Sequence, residues 1–269
     1  MQWLAGLNAV VQTLFATIFT WGLSAAGAAM VFLLRELSRK LRESMAGFAA
    51  GIMIAAGFWS LLRPAMAMTG GSGRIVWLPA TIGFLAGGCF LFLTDRILPH
   101  LHAGAPLDQA EGLDTTWKRS VLLVAADVLH TVPEGIAIGF AFAAAAVGTQ
   151  GVSLGAAVAL TVGMGIQSFP EGIGLSVPLR REGMRPRRAF WYGQMPAAIQ
   201  PVIAVTGATV VLAVPSFAPY ALAFAAGALL FVVIESLEPV SHGDANHDRR
   251  AAFVLIGFTV MMILDAALR

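Results

Sequence analysis

Two apolar stretches of this 269-residue chain carry nearly the same phrase: HTVPEGI at residues 130–136 and QSFPEGI at residues 167–173. In a helix, the first and fifth residues of each phrase lie on one face. The fifth residue is an acid in both copies, Glu134 and Glu171. A carboxylate inside a membrane span is costly unless it is paired or faces water. Two of them on matching helices therefore indicate a site for a cation.

The composition identifies the class of protein. Apolar residues make up 58% of the chain and charged residues only 12%, which is outside the range of soluble globular domains. We predict an all-α membrane protein, with one polytopic transmembrane domain over residues 1–269.

The single cysteine, Cys89, excludes a disulfide framework or a cysteine-type zinc site built from this chain alone. We expect no removable signal peptide, and the lipid bilayer rather than nucleic acid as the partner.

Eight transmembrane helices are predicted, because a span needs about 20 mostly apolar residues. The eight stretches are roughly 7–34, 45–63, 75–98, 119–147, 151–178, 189–214, 217–239 and 251–268. With eight spans, three of the 17 Lys and Arg residues fall on one side, namely Arg63, Arg74 and Arg269, and the other fourteen fall on the opposite side. The positive-inside rule places the larger set in the cytoplasm and both termini outside.

A second, fainter repeat joins the predicted second and seventh spans. The segment FAAG at residues 48–51 recurs at residues 224–227, and the pair Ser-Leu at residues 60–61 recurs at residues 236–237, all at an offset of 176. These two spans run in opposite directions, so the match indicates inverted repeats, which place a substrate site near the midplane of many transporters. Chance is the alternative, since Ala, Gly and Phe are common here.

The doubled phrase supplies metal ligands. Pro133 and Pro170 cannot donate a backbone hydrogen bond, so each helix should kink and leave a carbonyl unpaired near the site. Two such helices facing each other offer the imidazole of His130, the amide oxygen of Gln167 and two carboxylates. Nitrogen and oxygen ligands of this kind suit a divalent transition metal such as zinc, and two carboxylates balance its charge.

Two other interpretations of the phrase are less consistent with the sequence. A single intramembrane His-Glu pair is often a structural hydrogen bond, but two copies with the same proline and glycine disfavour that interpretation. A zinc peptidase would use similar residues, yet the motif His-Glu-x-x-His is absent from the sequence. We therefore expect no enzymatic activity.

These features resemble the ZIP family of divalent metal transporters, closest to its bacterial GufA-like branch. The likeness covers nearly the whole chain, including the pair Gly-Gln at residues 193–194 and the closing stretch at residues 257–265. It implies a ZIP-like bundle with inverted repeats, helices 1–3 and 6–8, around helices 4 and 5. It also implies a homodimer in the bacterial inner membrane that moves metal into the cytoplasm. Zn²⁺ is the expected cargo, and the ligands are also compatible with Cd²⁺, Fe²⁺, Mn²⁺ or Co²⁺.

The resemblance also implies a ligand set, which is Met53, His130, Glu134, Gln167 and Glu171. From the sequence alone Met53 would be a core residue, the usual position of a methionine in an apolar helix.

Three positions depart from the family pattern. Family members commonly have Asn after the histidine, Asn or Asp after the glutamine, and Glu before a proline in the sixth span. Here these positions are Thr131, Ser168 and Gln200. We therefore predict one occupied metal site and not a binuclear pair.

Asp127 lies three residues before His130, on the same helical face. It could orient the imidazole through its second ring nitrogen, or it could be an intermediate position for the metal. It could equally be a partly hydrated acid near the cytoplasmic interface.

Histidines and acids at the predicted cytoplasmic side could receive metal after release. Neutral imidazoles with carboxylates hold zinc loosely, and the resemblance supports such an exit path. The candidates are Asp95, His100, Glu235, Glu238 and His242.

The sequence thus favours a secondary transporter for a divalent transition metal through a single intramembrane site. Two alternatives remain open: a metal-binding or metal-sensing membrane protein that does not transport, and a proton-coupled solute carrier.

Overall fold

The computed structural model describes residues 2–68, 77–101, 105–149, 151–237 and 245–268. Within these ranges the regular secondary structure is helical, apart from one isolated antiparallel bridge between His100 and Glu111. The predicted all-α class is therefore confirmed. The helices are α1 Gln2–Ala5, α2 Ala9–Ala29, α3 Arg39–Ala55, α4 Arg63–Ala67, α5 Leu78–Ile97, α6 Arg119–Ala146, α7 Leu154–Arg181, α8 Pro186–Gln194, α9 Gln200–Ala213, α10 Ala218–Ser236 and α11 Ala245–Leu268.

Shorter turns extend these helices. A π-helix, Ala56–Leu62, joins α3 to α4, and 3₁₀ turns follow α2 at Met30–Phe32, precede α9 at Ala197–Ile199 and precede α10 at Pro215–Phe217. A further 3₁₀ turn, Leu107–Gln109, lies in the polar loop before α6. Both α6 and α7 continue as single helices across Pro133 and Pro170.

Six helical segments of the described chain are long and apolar enough to cross a membrane, and a seventh arises if α8 and α9, which bend by 43°, count as one span. The helix α7 is not among them, although it is 28 residues long. All eight predicted stretches are thus largely helical where the structure describes them, but length and composition support only six or seven as spans. The six are Ala9–Phe32, Arg39–Ala67, Leu78–Ile97, Arg119–Ala146, Pro215–Ser236 and Asp248–Leu268.

Glycines let four helix pairs pack backbone against backbone. In the pair α2–α7, a Cβ added at Gly27 would lie 1.9 Å from the carbonyl oxygen of Phe169, and one added at Gly172 would lie 2.1 Å from that of Ser24. In the pair α6–α9, the same holds for Gly139, at 2.1 Å from the Ala204 oxygen. A real side chain at these positions would force the helices apart.

The pairs α3–α11 and α5–α10 use the repeated FAAG segments in the same way. The carbonyl oxygen of Phe48 faces Gly257 of α11, and the carbonyl oxygen of Phe224 faces Gly87 of α5. The closing glycines of the two segments, Gly51 and Gly227, meet carbonyls of α11 and α5, at 2.0 Å and 1.9 Å from an added Cβ. The two copies therefore make equivalent contacts.

These pairs assemble into two helix groups. The first helix group comprises α2, α6, α7 and α9, which contact one another, and the second comprises α3, α5, α10 and α11. The groups meet mainly where α10 packs on α6, and where α3 and α11 pack on α7. At that boundary the close neighbour of Gly163 is the side chain of Met261 rather than backbone.

We predict that Gly27→Ala destabilises the protein, because its new methyl group must displace the backbone of α7. Overpacking of this kind costs roughly 1–3 kcal/mol, which lowers the unfolding midpoint by about 2–10 °C for a chain of this size. Thermal unfolding in detergent measures the change. Gly22→Ala in the same helix is the matched control, since nothing lies within 4 Å of a Cβ there. Equal midpoints for the two variants would contradict the packing argument.

Candidate metal site

The carboxylate of Glu134 lies at the centre of the candidate site and is 1% exposed. Gln167 of α7 donates from Nε2 to its Oε1 at 2.6 Å, and Gln200 of α9 donates from Nε2 to its Oε2 at 2.9 Å. Each carboxylate oxygen thus accepts one bond from a different helix. Such bonds offset part of the cost of burying the group.

Glu171 lies beside Glu134, and the two carboxyl groups are joined by a hydrogen bond. Glu171 also lines a cavity of about 890 Å³ together with Met53, Asp127 and His130. Of the five predicted ligands, Met53, His130 and Glu171 therefore line this cavity, and Glu134 contacts Glu171. The fifth, Gln167, is fully buried, and its Oε1 has no hydrogen-bond partner among the described residues.

The predicted ligands are not drawn into a tight group. Among the described residues, the one set of three or more His, Cys, Asp or Glu side chains with ligand atoms within 4.8 Å of each other is found elsewhere. His130, Glu134 and Glu171 are therefore not all within that distance of one another. Met53 is 5% exposed and packs with the apolar side chains of α5 and α10 while also reaching the cavity.

The cavity lies between the two helix groups. Its deep end is formed by Met53, His130 and Glu171, and its other end by residues such as Arg42 and Glu111, of which Glu111 is exposed. It therefore extends from the carboxylates to the side of the protein that carries most of the basic residues.

Beyond the deep end, the space between the helix groups is filled. On α6, Ile138 and Phe142 lie about one and two turns after Glu134. On α7, which runs in the opposite direction, Met164 and Leu160 lie about one and two turns before Gln167. All four side chains are at most 1% exposed. The site is thus accessible from one side and blocked by packed side chains on the other.

Asp127 lines the same cavity, one turn before His130 on α6. Its carboxylate, with those of Glu134 and Glu171, makes three acids around one cavity, and such clustering raises the local concentration of cations. Its backbone oxygen accepts a hydrogen bond from the Thr131 hydroxyl at 2.8 Å. The three predicted roles of Asp127 all remain compatible with this position.

A second cluster contains the close set of ligand atoms: Asp95, His100 and Glu111. The ring of His100 is fully buried, and its Nδ1 lies 2.9 Å from the Leu98 oxygen, which can only accept. Nε2 therefore faces the acids, at 3.1 Å from Asp95 Oδ1 and 4.0 Å from Glu235 Oε1.

Three of the five predicted exit-path residues, Asp95, His100 and Glu235, thus lie together at this cluster. The other two, Glu238 and His242, lie outside the described residues. Glu111 was not predicted to belong to it. Its position depends on a two-residue backbone bridge, in which Glu111 N donates to the His100 oxygen at 2.9 Å and His100 N to the Glu111 oxygen at 3.1 Å. Nothing in the sequence signals that bridge.

Sequence reasoning also missed Thr20. Its hydroxyl donates to Gln200 Oε1 at 2.5 Å and so extends the hydrogen bonds of Glu134 to α2. A threonine in an apolar helix normally bonds its own backbone, as Thr13 and Thr17 do here.

Comparison with known proteins identifies the family. The family model described as ZIP Zinc transporter matches residues 107–265. The chain belongs to the ZIP family. Similar relatives are Zinc transporter ZIP11 of Homo sapiens, 34% identical over 98% of this chain and 99% of the human protein, and Zinc transporter GufA of Myxococcus xanthus, 33% identical over 95% and 98%. Zinc transporter ZIPB of Bordetella bronchiseptica is 31% identical over 91% of this chain and 77% of its own. The predicted resemblance is therefore confirmed.

We predict that the cluster at His100 binds zinc independently of Glu134. In a Glu134→Ala, Glu171→Ala background, the further change Asp95→Asn should weaken the remaining zinc binding by about tenfold or more, since it removes an anionic oxygen beside Nε2. Equilibrium dialysis with elemental analysis measures this. Asp108→Asn, an exposed acid of the same loop, is the control. Unchanged binding after Asp95→Asn would show that the cluster is a hydrogen-bonded structural unit only.

Proposed function

We propose that this protein carries Zn²⁺ across a bacterial inner membrane into the cytoplasm through one buried site. The observation that carries the proposal is the pair of adjacent carboxyl groups, buried Glu134 and cavity-lining Glu171, in a member of the ZIP family. The named relatives are zinc transporters, and they match nearly all of this chain.

The donor set fits a divalent cation. We propose that the cation is held by Met53, His130, Glu134, Gln167 and Glu171. The buried Oε1 of Gln167 supports this, because it has no hydrogen-bond partner among the described residues and a cation would satisfy it. The set contains one sulfur, one nitrogen and several oxygens, so Cd²⁺, Fe²⁺, Mn²⁺ and Co²⁺ are compatible alternatives to zinc.

We propose a single cation rather than a pair. The hydroxyl groups of Thr131 and Ser168 donate to backbone oxygens of their own helices, each at 2.8 Å. Gln200 presents an amide nitrogen, not an oxygen, to Glu134. None of the three departures therefore supplies an anionic oxygen for a second cation beside the first.

Alternating access follows from the two helix groups. Four proposed ligands belong to the first group and Met53 belongs to the second, so a displacement of one group against the other changes the site and its access together. Each group is held internally by backbone contacts at glycines, and the boundary includes both a side-chain contact, that of Met261 with Gly163, and a backbone contact, that of the Leu268 oxygen with Gly155. A shear displacement of the two groups would have to shift both contacts. Inverted repeats, supported by the equivalent contacts of the two FAAG segments, make the motion geometrically natural.

Metal leaving the site would pass Asp95, His100 and Glu235, which lie on the cavity side of the protein. Glu238 and His242 belong to the same proposed path. The basic residues on this side support its assignment to the cytoplasm.

The membrane arrangement belongs to the same proposal. We propose eight spans, counting α7 as a span and the bent α8–α9 pair as the sixth, with both termini outside. The helix α7 is polar because it carries the site, and α6, α2, α3 and α11 surround it. We further propose a homodimer.

Zinc uptake into proteoliposomes tests the function. Glu134→Ala combined with Glu171→Ala should reduce uptake by more than about a hundredfold, because loss even of groups that only orient metal ligands costs roughly 10–100-fold. Glu36→Ala, an exposed loop acid, is the control and should leave uptake unchanged.

Two results would favour the alternatives. Tight zinc binding that His130→Ala abolishes, with no uptake by the unaltered protein, would favour a sensing or storage protein. Uptake of a solute without any metal requirement would favour a proton-coupled carrier.

A further inference from the structure

The two amides that donate to Glu134 differ in whether their oxygen atom already accepts a hydrogen bond. The Oε1 of Gln167 is buried and has no hydrogen-bond partner among the described residues. The Oε1 of Gln200 already accepts the hydroxyl of Thr20 at 2.5 Å. One amide oxygen therefore has no partner, whereas the other already accepts one hydrogen bond. The amide oxygen without a partner lies on the Gln167 side of the Glu134 carboxylate.

The orientation of the Gln200 amide is fixed from both ends. A carboxylate oxygen only accepts hydrogen bonds, so Glu134 Oε2 requires the NH₂ group of Gln200, at 2.9 Å. The amide oxygen must then face Thr20, whose hydroxyl donates to it. That hydroxyl also lies 3.0 Å from the Thr17 oxygen, but it has one proton, and the contact with Gln200 is the shorter. Turning the amide over would place two acceptors against each other at Glu134.

The chain of contacts is buried and crosses three helices. Thr20 of α2 is 0% exposed, and Gln200 at the start of α9 and Glu134 of α6 are each 1% exposed. The 43° bend between α8 and α9 lies just before Gln200 and allows its side chain to reach inward. Water cannot replace either partner, so the loss of one would leave a buried polar group unsatisfied.

We propose that Thr20 and Gln200 act as a neutral clamp on Oε2 of Glu134, which restricts the buried site to one dication and orients Oε1 toward it. Both amides donate NH₂ to Glu134, but the oxygen of Gln200 is turned toward Thr20, so Gln200 offers a second cation no ligand beside Oε2. Thr20 and Gln200 are thus positioning residues that set the number of cations bound. This inference rests on the proposed function, because it presupposes that Glu134 binds zinc.

Gln200→Glu tests the clamp directly. It replaces the NH₂ donor by a carboxylate oxygen of nearly the same shape, so we expect one additional Zn²⁺ per chain relative to the unaltered protein. Equilibrium dialysis of the purified full-length protein with elemental analysis counts the cations. Adding Glu134→Ala to Gln200→Glu should remove the additional cation. If Gln200→Glu folds and binds no additional zinc, the proposal is overturned.

Thr20 provides a second test, which decides the matter if Gln200→Glu does not fold. Thr20→Val keeps the volume of the side chain but removes the hydroxyl, so the amide of Gln200 loses its anchor. Zinc affinity should fall about fivefold to tenfold, as expected for one lost hydrogen bond in a buried network. Thr20→Ser retains the hydroxyl and should stay within about twofold of the unaltered protein, on the same scale. Equal zinc affinity for the Val and Ser variants would overturn the clamp.

The proposed function can fail separately. If Glu134→Ala alone leaves zinc binding unchanged, the site itself is wrongly assigned, whatever the behaviour of Gln200. If Glu134→Ala removes one bound zinc per chain but neither Gln200→Glu nor Thr20→Val has the expected effect, the metal site stands and the clamp is refuted.

Discussion

The structure depends on keeping two acids in the middle of an apolar helix bundle. Glu134 is nearly inaccessible, and Glu171 is joined to it. Polar groups in such a place must be hydrogen-bonded or must face water. Here both solutions are used: amides from α7 and α9 hold Glu134, while Glu171 faces the cavity. In the proposed site a cation would replace part of this compensation, so the same constraint that organises the fold would provide the affinity for metal.

The helix packing follows from that arrangement. Side chains of α6, α7 and α9 can meet at Glu134 only if their backbones approach closely, and the first helix group achieves this with glycines such as Gly139 and Gly172. Gly135 lies next to Glu134 and faces the backbone oxygen of Gln200, with 3.3 Å to an added Cβ. The glycine of the phrase thus brings the α9 backbone to the distance at which the Gln200 amide reaches the carboxylate. The acid and the glycine of the phrase therefore act together.

Much of the fold and part of the site could be predicted from the sequence. Apolar composition and span length indicate a helical membrane protein, and the repeated phrase identifies α6 and α7 as the helices that carry the acids. Helical periodicity places His130 on the face of Glu134, but it says nothing about the distance between side chains of different helices. For that reason the contact of Gln200 with Glu134 and the contact of Thr20 with Gln200 emerge only from the packing. Glu111 was missed for a similar reason, since a loop of 20 polar residues has no period from which a contact can be inferred.

The number of spans illustrates how function limits sequence reasoning. The helix α7 is long enough to cross the bilayer, yet it fails the test of apolarity because Gln167, Ser168 and Glu171 lie near its middle together with several glycines. Its neighbours α2, α3, α6 and α11 cover it, so lipid contact need not stabilise it. A helix that is enclosed by other helices tolerates polar residues that would be too costly on a lipid-facing helix. The helix that hydropathy identifies least well is therefore the one in which the proposed binding chemistry is concentrated.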